Sequence, residues 1–232
     1  MTQGKINDEN QKRLAKGLHE KYPGLVYGMA KASSKKNASA GAEITSLKVK
    51  KITNEGCEIS LVTCRGDLCE MNNFTYSFNP PLNSLEELLD AHRIKQLHNQ
   101  VLSPKLRWLF TDPLAFLILT VFVLLGYATL IIGMEGILEF LTKAPRLENE
   151  VTSIFQSPRI FGYCVFVGFW ITIVAHAVEA GMTVRFCAQT FPRLGVAPTA
   201  MWAFLVFCVG FPILSRLQEL VLVQNIYSSK SK

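Results

Sequence analysis

His176 and Glu179 stand three residues apart within ITIVAHAVEAGMTV, residues 171–184, a stretch that is otherwise apolar. An imidazole and a carboxylate at that spacing are neighbours on a helix and can share a hydrogen bond or a proton. Thr172 and Thr183 join them: at 100° per residue the four side chains fall within about 60° of one another, as one polar stripe. A carboxylate at the centre of a bilayer costs roughly 2.5–3.5 kcal/mol on insertion scales, so the stripe must face protein, water or headgroups rather than acyl chain. Three uses are open to it: packing one helix against another, recognising a ligand, and transferring a proton in catalysis. Glu179 is also close to the end of its apolar run, with Arg185 following, which suits a residue that sets helix depth. Catalysis asks for a pocket and further polar groups, and the other two apolar runs offer no charged or imidazole partner.

Three runs can hold such a stripe in place. Residues 113–134 carry no charge, and at about 1.5 Å per residue they cross a hydrocarbon core of roughly 30 Å. Residues 161–184 form a second run, and 198–215 a shorter third. Lys105, Arg107 and Trp108 precede the first run, where interfacial anchors belong. The tail RLQELVLVQNIY is expected to run out along the surface. Residues 105–232 therefore read as an all-α transmembrane domain of three helices.

Residues 1–104 read differently. They hold 14 Lys/Arg and 11 Asp/Glu, against 10 and 7 in the remainder. The net charge of +6 splits evenly and is diluted by acids, which argues against a nucleic-acid footprint and leaves the lipid bilayer as the expected partner. INDENQKRLAKGLHEKYPG, with Leu14 and Leu18 four apart, predicts a surface helix stopped by Pro23 and Gly24. A short apolar piece follows, then SSKKNASAG, a loop that can bury nothing. AEITSLKVKKI, CEISLVT and FTYSF alternate as antiparallel strands, with TNEG as a hairpin turn. SLEELLDAHRIKQLHNQVL opens on a capping box, Ser84 with Glu87, and puts Leu85, Leu88, Leu89 and His92 on one stripe. The first domain is α+β, a small antiparallel sheet with helices.

The order of a helix beginning KINDEN, a strand hairpin, YSFNPPL and a final helix resembles the domain of unknown function 2470, over about the first hundred residues. The resemblance implies a link to haem or tetrapyrrole. That family's opening His-x-Asn-x-Asp-His pattern has Lys5 and Asn10 in place of its histidines here, so haem ligation is not carried over at those positions. His92 and His98 are the soluble-domain ligand candidates, His92 the better for lying on the apolar stripe. FVGFWITIVAHAVEA followed by MWAFLVFCVGFPILS resembles the transmembrane protein 254 family over roughly residues 110–222. The match rests on Trp170, His176 and Glu179, then on Trp202, Gly210 and Phe211. It implies three spans and no known chemistry.

The six cysteines form no paired framework, and Cys64 and Cys69 read as reduced thiols of a cytosolic domain; no metal site is expected. With no apolar leader at its start, the chain is placed in the endoplasmic reticulum membrane, its α+β domain in the cytosol, where the sequons at Asn37 and Asn73 stay unused. Lys and Arg flanking three spans tie at six on each side. The leading expectation is a non-enzymatic module that binds a ligand or a membrane or cytosolic protein partner. The alternatives are haem binding and a lipid- or sterol-acting enzyme using His176 and Glu179.

Overall fold

The structure, a computed structural model, describes residues 2–33 and 43–229. The Ser/Lys/Ala loop, apart from Ser33, and the Asn37 sequon lie outside the described residues. The chain divides into two compact units; the first break, Ser103/Pro104, lies one residue from the expected boundary, but two later segments return to the first unit. Unit 1 comprises Met1–Ser103, Phe186–Thr199 and Arg216–Lys232, and unit 2 comprises Pro104–Arg185 and Ala200–Ser215.

Unit 1 opens with α1 (Thr2–Lys21), whose Leu14 and Leu18 are buried as their spacing requires. Pro23 does more than stop α1. It opens α2 (Pro23–Ser33) at the first-turn position where a missing N–H costs nothing. Leu25, Val26, Met29 and Ala30 are fully buried, so α2 is the central helix of the unit. The strands β1 (Glu43–Ile52), β2 (Gly56–Arg65) and β3 (Leu68–Ser77) form one antiparallel sheet in chain order, as the alternation predicts. Leu47 pairs with Leu61, Val49 with Ile59 and Ile52 with Cys57, which places the apolar alternates on the buried face. Glycine is required at Gly56, where a Cβ would lie 2.2 Å from the Tyr76 carbonyl oxygen.

The predicted capping-box helix is interrupted. Residues Leu85–Leu89 form a 3-10 turn, Asp90 is extended (ψ 142°), and α3 begins afresh at Ala91 and runs to Val101. Ser84 makes no side-chain cap; Glu87 instead accepts from the Asn83 backbone N–H at 2.9 Å. The restart shifts the helical phase, which turns His92 outward and His98 inward.

Unit 2 begins with the short turn α4 (Trp108–Thr111). Asp112 then accepts from the N–H groups of Leu114 and Ala115, capping α5 (Pro113–Tyr127). A π-turn (Ala128–Ile132) leads into α6 (Gly133–Thr142), α7 (Pro145–Phe155) and the long α8 (Pro158–Thr190). The last two helices are α9 (Val196–Val209) and α10 (Phe211–Ser229). Two stretches, Pro113–Thr142 with 30 residues and Pro158–Thr190 with 33, are long and apolar enough to cross a membrane. Only 11% of the most apolar window of each is buried, and side chains such as Leu124, Ile131, Ile171 and Val174 point outward. The expected third span, 198–215, is not one helix: α9 ends at Val209, and Gly210 takes a φ of +71°, which favours glycine.

The tail is corrected as well. Rather than running out along the surface, α10 returns to unit 1 and buries Leu217, Leu220 and Val223 there. Gln224 accepts from the Gly24 N–H at 2.8 Å, and Glu219 accepts from Tyr27 and pairs with Lys31. The segment between α8 and α9 belongs to the same unit, since Asn99 accepts from the Gly195 N–H at 2.8 Å.

Candidate functional site

The polar stripe of α8 is present, and its four members divide into two pairs. Thr172 donates to the Gly168 carbonyl and Thr183 to the Glu179 carbonyl, each at 2.8 Å, so both hydroxyls are satisfied on their own helix. His176 and Glu179 reach away from it.

The destination is the broken end of α9. In an unbroken helix the N–H of residue 211 would bond the Phe207 carbonyl and that of residue 212 the Cys208 carbonyl. Gly210 turns the chain first, its own N–H going to Val206 at 2.6 Å, and Pro212 has no N–H to give. Ile213 and Leu214 donate to Gly210, not further back. Into this gap His176 donates its Nδ1–H to the Phe207 carbonyl at 2.7 Å. The ring is held flat against Phe122, centroids 5.5 Å apart and planes 19° apart, while Phe207 meets Phe122 edge-on.

With Nδ1 donating, a neutral imidazole keeps a lone pair on Nε2. That atom and Glu179 Oε2 converge over Gly210: a Cβ built there would lie 3.0 Å from Nε2 and 2.8 Å from Oε2. Oε2 is buried and, among the described residues, has no hydrogen-bond partner. The local His–Glu hydrogen bond that the spacing permits is thus replaced by a shared approach to the helix break. The negative end of the α9 dipole adds to two acceptor atoms, so the site is rich in acceptors and poor in donors. Phe122, Phe207 and Gly210 complete it. The first two are unremarkable in an apolar run, whereas Gly210 followed by Pro212 is a breaker signal that could have shown the turn.

The other candidates are scattered. His92 is exposed, and His98 is 4% exposed, the reverse of the expected ranking. His98 donates from Nδ1 to the Ile94 carbonyl at 2.8 Å and packs edge-on to Tyr22 and near Phe191. Burial pushes its imidazole below the ordinary value, the bond to Ile94 opposing and Arg193 adding to the effect. Arg193 lies over the Tyr22 ring at 5.4 Å. Lys105 and Arg107 are exposed, and Trp108 packs on Trp202 with centroids 5.7 Å apart. Cys64 and Cys69, directly paired across the β2–β3 hairpin, form a disulfide, against the expectation of free thiols. Burial pushes the Cys57 thiol up to about 12. Among the described residues no three His, Cys, Asp or Glu side chains cluster so as to hold a metal.

No protein-family model, curated protein or solved structure matches this chain.

Proposed function

We propose that the chain is an integral membrane protein that binds the hydrogen-bond-donating head of an amphiphile, a protonated amine or a hydroxyl, at His176 and Glu179, without turnover. The observation that carries the reading is the partnerless Oε2 of Glu179, set beside His176 Nε2 at a helix break. A buried acceptor left empty costs about 1–3 kcal/mol, more for a charged group, so a donor placed there is strongly favoured. Breaks in membrane helices present their freed carbonyl ends to cationic groups for the same reason. An open apolar groove of about 280 Å³, lined by Leu125, Phe155, Phe161, Cys164, Val165, Gly168 and Thr172, ends one helical turn from His176 and suits an acyl chain.

Exposed apolar surface on α5, α6 and α8, far beyond the scattered hydrophobics of a soluble protein, supports the membrane reading. The endoplasmic reticulum is the home we assign it. Unit 1 serves as its soluble recognition part, with Leu68 and Met71 exposed on strand β3 for a protein partner.

The test uses full-length protein in mild detergent, with radiolabelled dodecylamine as the probe and dodecanol as competitor. Saturable binding that weakens at least tenfold in Glu179→Gln, with unchanged thermal stability, supports the reading. Equal binding by the two proteins removes it, and conversion of the probe that depends on Glu179 would make the protein an enzyme instead.

A further inference from the structure

Residues 200–215 leave unit 1 and come back to it. On the outgoing side, Asn99 holds the Gly195 N–H, Phe191 packs near His98, and Arg193 covers the Tyr22 ring. On the returning side, Glu219 is bonded to Tyr27 and Lys31, and Gln224 to Gly24. All of these contacts lie within one folded unit, and a folded unit occupies one face of a bilayer.

The segment between them is also too short to cross. The 14 residues of α9 reach roughly 21 Å at about 1.5 Å per residue, short of a hydrocarbon core of roughly 30 Å. The chain then turns at Gly210, and Pro212 seals the break. We infer that residues 200–215 are a re-entrant hairpin, and that the chain crosses the membrane twice, through Pro158–Thr190 and through Pro113–Thr142, where residues 113–132 alone reach about 30 Å before the chain turns at Gly133 (φ +71°). Irregular backbone at membrane depth survives only where protein shields it. The hairpin meets that demand: Trp202, Leu205, Val206, Val209, Ile213 and Leu214 are all 4% exposed or less, and His176 takes the freed carbonyl of Phe207.

Two crossings also change the charge balance. With three spans, Arg216 falls on the face opposite unit 1 and the count ties. With two, Arg216 joins Lys105, Arg107, Arg185 and Arg193 on the unit 1 face, against Lys143, Arg146 and Arg159 in the connecting segment. The positive-inside rule then puts unit 1 in the cytosol and the α6–α7 connection in the lumen.

Epitope tags at both termini and a third between Lys143 and Pro145 test this in sealed microsomes carrying the full chain, by antibody and protease access before and after permeabilisation. Both terminal tags accessible from outside, with the internal tag protected, is the expected result. Terminal tags on opposite faces, or all three tags on one face, overturn the two-crossing arrangement. Glycosylation of Asn73, exposed on β3, or protection of both terminal tags, overturns the cytosolic placement of unit 1. Amphiphile binding is read separately, so failure of either reading leaves the other to be judged on its own.

Discussion

The phenol of Tyr27 donates to the carboxylate of Glu219, 192 residues further along the chain. Tyr27 is 2% exposed, and burial together with the Glu219 carboxylate raises its ionisation well above the ordinary phenol range, so it stays a donor at any physiological pH. Removing the hydroxyl in Tyr27→Phe should cost about 1–2 kcal/mol, and Glu219→Ala more, because it strands the phenol and releases Lys31. The two losses should not add in the double variant, as a denaturant-unfolding cycle in detergent will show.

Gly210→Ala meets two obstacles at once. The left-handed backbone costs a side chain roughly 1–2 kcal/mol, and the new methyl would press on Glu179 Oε2 and His176 Nε2. Thermal unfolding should show a loss of at least that size, and dodecylamine binding should fall with it. Gly181→Ala provides the control, since a Cβ there meets nothing within 4 Å.

Acid should destabilise unit 1 through buried His98 and half-buried His19. His98 and His19 both have folded values lowered from about 6.5 by burial, Glu20 opposing the shift at His19. Below about pH 6.5 the unfolded chain therefore takes up protons that the folded chain refuses. Stability is full above that pH and falls as pH drops toward the lowered values, by at most about 1.4 kcal/mol per pH unit for each group. Unfolding midpoints measured from pH 7.5 to 5 should slope less in His98→Gln, and less again when His19→Gln is added.

Alkylation under denaturing, non-reducing conditions should tag four cysteines of the oxidised protein, Cys57, Cys164, Cys187 and Cys208, and six after reduction. Mass spectrometry gives the count directly. The same count bears on the placement of unit 1 inferred above: six tagged cysteines in acid-quenched cells without added reductant fit the cytosol, where thiols are kept reduced, and four place the Cys64–Cys69 bond in an oxidising compartment.

Much of this was legible in residue patterns, and the failures have physical causes. The strands were readable because each alternates with period two, and the two long apolar helices because over a membrane's thickness the first carries no charge and the second only Glu179. The interruption at Asp90 was not: the capping-box pattern assumes a continuous helix, and one extended residue rotated His98 into the core in place of His92. The division into units was hidden because it rests on pairs such as Gln224 with Gly24, which no local pattern can announce. At the site, His176 and Glu179 stood out as costly residues. Their orientation toward α9 depends on a carbonyl freed by Gly210, and that is a property of backbone rather than of side-chain spacing.

The three-part make-up of unit 1 dictates an order of assembly during synthesis. Its first hundred residues leave the ribosome with a gap where Leu217, Leu220 and Val223 will sit, and both stretches long and apolar enough to cross a membrane precede those residues in the chain. The core of unit 1 is therefore complete only once translation has passed Val223, after both apolar stretches have been made. A nascent chain stalled earlier leaves α2 uncovered, and quality control meets it as an unfinished core.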